Sequence, residues 1–316
     1  MTRRARRQGD WVNDLARGAV DRLKQTFSTH SPALWQEVRA WMRTLSPAPA
    51  AHRYFTTDWG YPLLELPRFV AKARGVRPNR RFERDLAYAS VCGYYCIRLV
   101  DDELDGETRG AGQRALFSAL LANEFPSAFM PYFGASTRFF RELTRDWVGC
   151  FDVTLRDARL PDIDLATFCA ISARKTGAAR IPMRAAVLFY EDGARLERWL
   201  TLVERLGRFV QMADDVLDWS TDLDRGEGST YFLCEGRRRK RRRESLPEWV
   251  LREGLGWAEQ LCDGWLNELA ELAAALDAQA FSELIGRRRQ KLAGNLQAMR
   301  RVLATSLELA PLLRSR

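Results

Sequence analysis

The sequence predicts an all-α fold, a bundle of long helices, on three observations. Apolar residues recur at i, i+3, i+4 and i+7 through most of the chain. Convincing period-two alternation is absent, and Gly, Pro and Ser clusters fall between the periodic segments. With 316 residues, 46% hydrophobic and 11% aromatic, the chain has enough apolar surface for a large core.

The elements follow in order. "MTRRARRQGDW" is basic but runs into an amphipathic stretch rather than the apolar core of a secretory signal. "PALWQEVRAWMRTL" (32–45) is the first strongly periodic segment, closed by the Pro/Ala-rich "SPAPAAH" (46–52). Residues 1–50 therefore read as an N-terminal helical appendage and linker that packs on the bundle or on a partner, and residues 51–316 as one helical domain. Further periodic segments cover 81–105, 194–219, 256–292 and 294–313, with breakers at 75–80, 160–164, 224–229 and 245–249. No apolar run reaches the roughly 20 residues that span a bilayer, and the expected location is the cytoplasm.

The formal net charge of +9 would suit a polyanionic partner, but the chain has only five lysines, so 45 of its 50 basic residues are arginine. A lysine at a special place is then more informative than any one arginine. Six cysteines contain no CxxC pair and two histidines no ligand spacing, which argues against zinc and against a histidine-based triad. Free buried thiols are expected. The run "RRRKRRR" (237–243) is open to three readings, a lipid contact, a cationic lid over an anionic substrate or a solvated loop. No nucleic-acid module accompanies it, so nucleic acid is not an expected partner.

Two acidic clusters share one spacing. Asp101, Asp102 and Asp105 end one apolar helical run, and Asp214, Asp215 and Asp218 end another, each as DDxxD. Residues i and i+4 share a helix face, so Asp101 with Asp105, and Asp214 with Asp218, each present two carboxylates in one direction. Like charges at this density raise one another's pKa unless a cation compensates them, and Mg²⁺ is the hard cation that suits oxygen ligands. Gly207, Gln211, Asp214, Asp215 and Asp218 form GxxxQxxDDxxD, in which Gln211 can bond a neighbouring acid or a metal-bound water. Lys175 and Thr176 interrupt the small, apolar "ISARKTGAARIPM", and Arg109 follows the first cluster. Carboxylate-held metals opposite Lys175 and Arg109 would clamp a diphosphate leaving group.

These motifs resemble the class I trans-isoprenoid synthases over roughly residues 55–310. "DDELD" is similar to that family's first aspartate-rich motif, "ETRG" to the arginine-glycine after it, "RKTGA" to its lysine-threonine segment, "GRFVQMADDVLDW" to its second aspartate-rich motif, and "TDLDRGEGSTYF" to the loop that follows. The resemblance implies an isoprenoid synthase type helical bundle with a central apolar cavity. It further implies three Mg²⁺ ions held by Asp101, Asp102, Asp105, Asp214, Asp215 and Asp218, a prenyl diphosphate substrate contacted by Arg98, Arg109, Lys175, Thr176, Gln211 and Tyr94, and ionisation to an allylic cation. Tyr94, Tyr95, Phe168, Phe189 and Phe209 are candidates for stabilising that cation.

Two departures narrow the reaction. "GYPLLELPRF" (60–69) stands where the chain-elongating members carry the basic pair for a second diphosphate, and the loop after the second motif lacks its usual lysines. Tyr94, Arg98, Asp101, Asp102 and Asp105 also fall at YxxxRxxDDxxD, which resembles the head-to-head squalene and phytoene synthases. The expected activity is that of a divergent terpene synthase. Head-to-tail or head-to-head prenyl transfer and a non-catalytic polyanion-binding protein remain as alternatives, and a homodimer and a peripheral membrane contact stay open. Cys96 and Gly93, one and two turns above the first motif, suggest room for a long prenyl tail.

Overall fold

The computed structural model describes residues 3–45, 50–57, 63–104, 111–134, 138–157, 159–191, 193–225 and 230–314, with the side chains of 3–10, 111 and 307–314 excepted. The described residues contain no strand. In chain order the helices are α1 (Arg3–His30), α2 (Pro32–Thr44), α3 (Leu66–Ala73), α4 (Arg80–Leu104), α5 (Ala111–Ser127), α6 (Met130–Phe133), α7 (Arg138–Asp157) and α8 (Leu165–Lys175). They continue with α9 (Gly177–Glu191), α10 (Leu196–Leu217), α11 (Trp219–Asp224), α12 (Tyr231–Arg239), α13 (Leu246–Trp249), α14 (Leu255–Ala275) and α15 (Gln279–Arg314). No helix among the described residues is long and apolar enough to cross a membrane.

The chain forms two compact units, one of Met1–Ala158, Arg174–Val203 and Leu276–Ala278, the other of Arg159–Ala173, Glu204–Ala275 and Gln279–Arg316. The core of the first unit is α4, buried without a break from Leu86 to Gly93 and packed against α1, α5 and α9. Its close fit shows at Gly93, where an added Cβ would lie 2.9 Å from the Phe125 ring. The room that sequence suggested above the first motif is thus filled by a core aromatic at Gly93, and the Cys96 thiol is turned toward the Ser118 carbonyl, 3.5 Å away. The N-terminal segment is embedded in this unit. Arg22 pairs with Asp85 at 2.8 Å and lies over the Tyr88 ring, Arg68 lies over Trp11, and Trp41 packs edge-on to Tyr95 and Phe117.

In the second unit α14 and α15 form a helical hairpin. The turn that joins them, 276–278, is counted with the first unit; it falls inside a segment whose periodicity runs unbroken in the sequence, and Asp277 turns it with φ of 55°. Asp is among the few non-glycine residues that tolerate this region. Gly294, the first residue of a segment read separately from 256–292, lies within α15, where an added Cβ would meet nothing within 4 Å. The "SLPEW" breaker opens a helix instead of ending one. Ser245 and Glu248 form a reciprocal capping box with Pro247 in the first turn of α13. Trp249 then packs beneath Gly236 and Gly254, whose Cβ positions would both fall 2.8 Å from its ring.

Candidate active site

The first acidic motif begins in the last turn of α4 and the second in the last turn of α10, two long helices with a buried apolar face. In the first unit the periodicity of α4 aims Tyr95, Leu99 and Asp102 inward and leaves Asp101 half-buried and Glu103 exposed. Asp102 is only 3% exposed. Its Oδ2 accepts from the Trp41 indole Nε1 at 2.8 Å, and its Oδ1 lies 2.9 Å from Arg98 Nε one turn earlier on α4. Burial disfavours the Arg98 charge, but Asp102 and Asp101, with the hydroxyls of Tyr94 and Tyr54, more than offset it and hold its pKa above the usual value. The Tyr94 hydroxyl pairs with that of Tyr54, whose ring stacks on it at 5.1 Å, and burial together with Tyr54 raises the Tyr94 pKa well above its ordinary value.

Lys175, at the end of α8, forms an ion pair with Asp157 at the end of α7. Its carbonyl faces Cys150 Sγ at 3.5 Å. Burial, with the Asp101 carboxylate as the second cause, pushes the Cys150 thiol up to about 12. Thr176 is buried at the α8–α9 junction, and its carbonyl accepts from the N–H groups of Ala179 and Arg180, starting α9. Arg98 and Lys175, both expected at a diphosphate, therefore each have a carboxylate partner in this state. Asp105 and Arg109 lie outside the described residues.

The second unit repeats the construction at the end of α10. Asp215 is 6% exposed. Its Oδ1 accepts from Gln211 Nε2 one turn earlier at 3.0 Å, and its Oδ2 from the backbone N–H of Tyr231 at the start of α12, at 3.1 Å. Asp214 and Asp218 are exposed, and the Asp218 N–H donates to the Asp214 carbonyl at 2.9 Å, so the helical hydrogen-bond pattern persists across the pair. Asp218 itself leaves helical geometry, with φ of −102° and ψ of 4°, as the residue that caps α11. Phe168 stacks on Tyr231 at 4.8 Å and Phe209 is fully buried, whereas Phe189, in the first unit, stacks on Phe82 at 4.0 Å in an aromatic cluster.

Each motif is thus divided between two roles. The second aspartate, Asp102 or Asp215, is sunk into its unit with both oxygens engaged by an i−4 side chain and a donor from another helix. The first, Asp101 or Asp214, stays on the outer side. The i−4 donors are legible in the sequence, whereas Trp41 is 61 residues from Asp102 and the Tyr231 donor is backbone, so neither announces itself.

The electrostatics favour a cation at both places. A helix C-terminus carries partial negative charge, where each added carboxylate costs about 0.3–1 kcal/mol when exposed. Neither α4 nor α10 has a basic residue in its last turn. Among the described residues no three acidic, histidine or cysteine side chains converge into a preformed metal centre. Mg²⁺ commonly binds through one or two carboxylates plus waters and substrate oxygens, and the half-buried Asp101 and the exposed Asp214 and Asp218 are carboxylates that could serve as hard oxygen donors of that kind.

The basic run divides as well. Arg238 bonds Asp162, Glu235 and the Ile163 carbonyl, and Arg239 bonds Glu235 and lies over Trp257. These two arginines tie α12 into the second unit, and Arg241, Arg242 and Arg243 are exposed. All six cysteines are free, and all but Cys169 are buried. No protein-family model and no curated protein matches the chain.

Proposed function

We propose that the protein is a Mg²⁺-dependent isoprenoid synthase of the all-α type, which ionises an allylic prenyl diphosphate and releases diphosphate as a terpene synthase does. The observation that carries this reading is the duplicated motif. Two DDxxD segments end two apolar helices, and in each the second aspartate is buried and held by an i−4 side chain, Arg98 as an ion pair and Gln211 as a hydrogen-bond donor, while the first is less buried. A solvated acidic helix end has no need of a partner for one particular carboxylate, and still less of the same arrangement twice.

In this reading Asp101 and Asp105, with Asp214 and Asp218, hold Mg²⁺, which supplies the positive charge that a departing diphosphate requires. Asp102 and Asp215 position the helix ends. Arg98 and Lys175 contact diphosphate oxygens by exchanging their present carboxylate partners for the substrate, and Arg109, Thr176 and Gln211 are assigned to substrate binding as well. Tyr94 and the aromatic faces around it exclude water, which would quench a carbocation. The absence of a basic pair near Glu65, together with the burial of Glu65 itself, favours a single diphosphate substrate over head-to-tail elongation.

The test is to incubate the protein and Mg²⁺ with geranyl, farnesyl and geranylgeranyl diphosphates, each with and without isopentenyl diphosphate, and to measure diphosphate release and product mass. Hydrocarbons or alcohols from one substrate are expected, lost on Asp101→Asn and on Asp214→Asn. Longer diphosphates would assign elongation, and doubled chains head-to-head coupling. Turnover retained in both variants, or absent with every substrate, would overturn the proposal.

A further inference from the structure

The first unit contains a cavity of about 610 Å³ between the start of α7, the middle of α9 and the start of α10, lined by side chains that the acidic motifs do not use. Its charged lining is four arginines, Arg138, Arg184, Arg195 and Arg198, against two glutamates, Glu142 and Glu197. Phe139, Leu188 and Leu196 supply an apolar wall.

The arginines divide into a fixed pair and an available pair. Arg195 is bound by the buried Glu191 and donates to the Leu276 carbonyl at 3.0 Å. Arg184 is 4% exposed, with one terminal nitrogen 3.1 Å from Asp146 and 3.6 Å from Glu142, and its Nε is buried without an acceptor. Glu142 is itself shared, since it also pairs with Arg145. Arg138 and Arg198 are exposed at the rim and make no ion pair or hydrogen bond among the described residues. Gly193, at φ of 82°, turns the chain into α10, so the cavity also receives the first turn of a 22-residue helix. The N–H groups of such a turn carry the positive dipole end of the helix; that of Leu196 is taken by the Gly193 carbonyl at 3.1 Å, and those of Glu197 and Arg198 have no partner within the helix.

A buried guanidinium, two guanidiniums with no ion pair or hydrogen bond among the described residues and the first turn of a helix line one cavity and form an anion-recognition arrangement. We infer that this pocket binds a phosphate- or diphosphate-bearing small molecule, at a site separate from the acidic motifs and without a metal. Arg138 and Arg198 close on the anion from the rim, Arg184 forms the floor, and the apolar wall takes an attached organic group. Glu142 limits the affinity, as a carboxylate that competes with the ligand for Arg184.

The test is calorimetric titration of the full chain with inorganic phosphate and with inorganic diphosphate, in buffer containing a chelator in place of Mg²⁺. Saturable binding at one site is expected, weakened at least tenfold in Arg138→Gln/Arg198→Gln, whose exposed side chains leave the melting temperature without ligand unchanged. Glu142→Gln is expected to bind more tightly. Asp214→Asn is expected to bind as the parent does, which separates this site from the proposed metal site. No binding by the parent chain, binding unaffected by the double arginine substitution, weaker binding by Glu142→Gln, or binding lost in Asp214→Asn would each overturn the inference.

Discussion

Trp41 on α2 donates its indole N–H to Asp102 of the first acidic motif at 2.8 Å, across 61 residues of sequence. A residue of the segment that reads as an N-terminal appendage thereby holds a carboxylate at the end of the central helix of its unit. Hydrogen bonds to charged groups contribute about 1.5–3 kcal/mol, because the alternative is a buried charge short of a donor. Trp41→Phe, which keeps the aromatic packing on Tyr95 and Phe117, is expected to cost about 2 kcal/mol by this scale. Denaturant unfolding in the parent and in an Asp102→Asn background checks it. The loss is expected to shrink in the second background, and an equal loss in both would assign the indole to packing alone.

Glycine substitutions are expected to take opposite signs in the second unit. At Gly236 an alanine Cβ would lie 2.8 Å from both Leu246 and the fully buried Trp249 ring, so Gly236→Ala is an overpacking change costing about 1–3 kcal/mol. Gly264 is exposed on α14 and an added Cβ there meets nothing within 4 Å, so Gly264→Ala is expected to stabilise by about 1 kcal/mol from helix propensity. Thermal melts of the two single variants against the parent decide both signs.

The same contrast of local and distant causes explains what the sequence makes legible. The spans of α2, α4 and α10 follow from 3.6-residue periodicity to within about two residues, because each helix buries one continuous stripe. Gln211 bonding Asp215, and Arg98 beside Asp102, follow from i, i+4 spacing alone. The turn at Asp277 does not, since an aspartate in the left-handed region leaves no glycine or proline to mark it. Nor do Trp41, the Tyr231 backbone donor and the carboxylate partner of Lys175, which are tertiary pairings with no signature in local spacing. The "RRRKRRR" run, uniform as sequence, separates into arginines that bond four different partners and arginines left at the surface only once α12 has packed.

Acid is expected to loosen the start of α13 over a defined window. The Arg252 guanidinium, 2.8 Å from Glu244, and the Arg241 N–H at the same distance hold the Glu244 carboxyl down from 4.5 to about 2. A depressed carboxylate contributes stability that is complete above its unfolded value and is lost as pH falls through its folded one. The melting-temperature difference between the parent and Glu244→Gln should therefore be constant above pH 5 and vanish between about pH 4.5 and 2. High salt should reduce it at every pH, because the pair is at the surface.

The last prediction separates the two aspartates that stand side by side in the second motif. Asp215 is buried with both oxygens bonded, so Asp215→Ala strands the Gln211 amide and the Tyr231 N–H and is expected to destabilise the chain by about 2–4 kcal/mol. Asp214 is exposed at the negative end of α10, where its charge opposes the helix dipole, so Asp214→Asn should leave the melting temperature unchanged or raise it slightly. Mg²⁺ reverses the comparison. If Asp214 holds the ion, millimolar Mg²⁺ raises the melting temperature of the parent and of a folded Asp215 variant, and fails to raise that of Asp214→Asn. An equal Mg²⁺ response in the parent and in Asp214→Asn would remove Asp214 from the metal site while leaving the structural role of Asp215 intact.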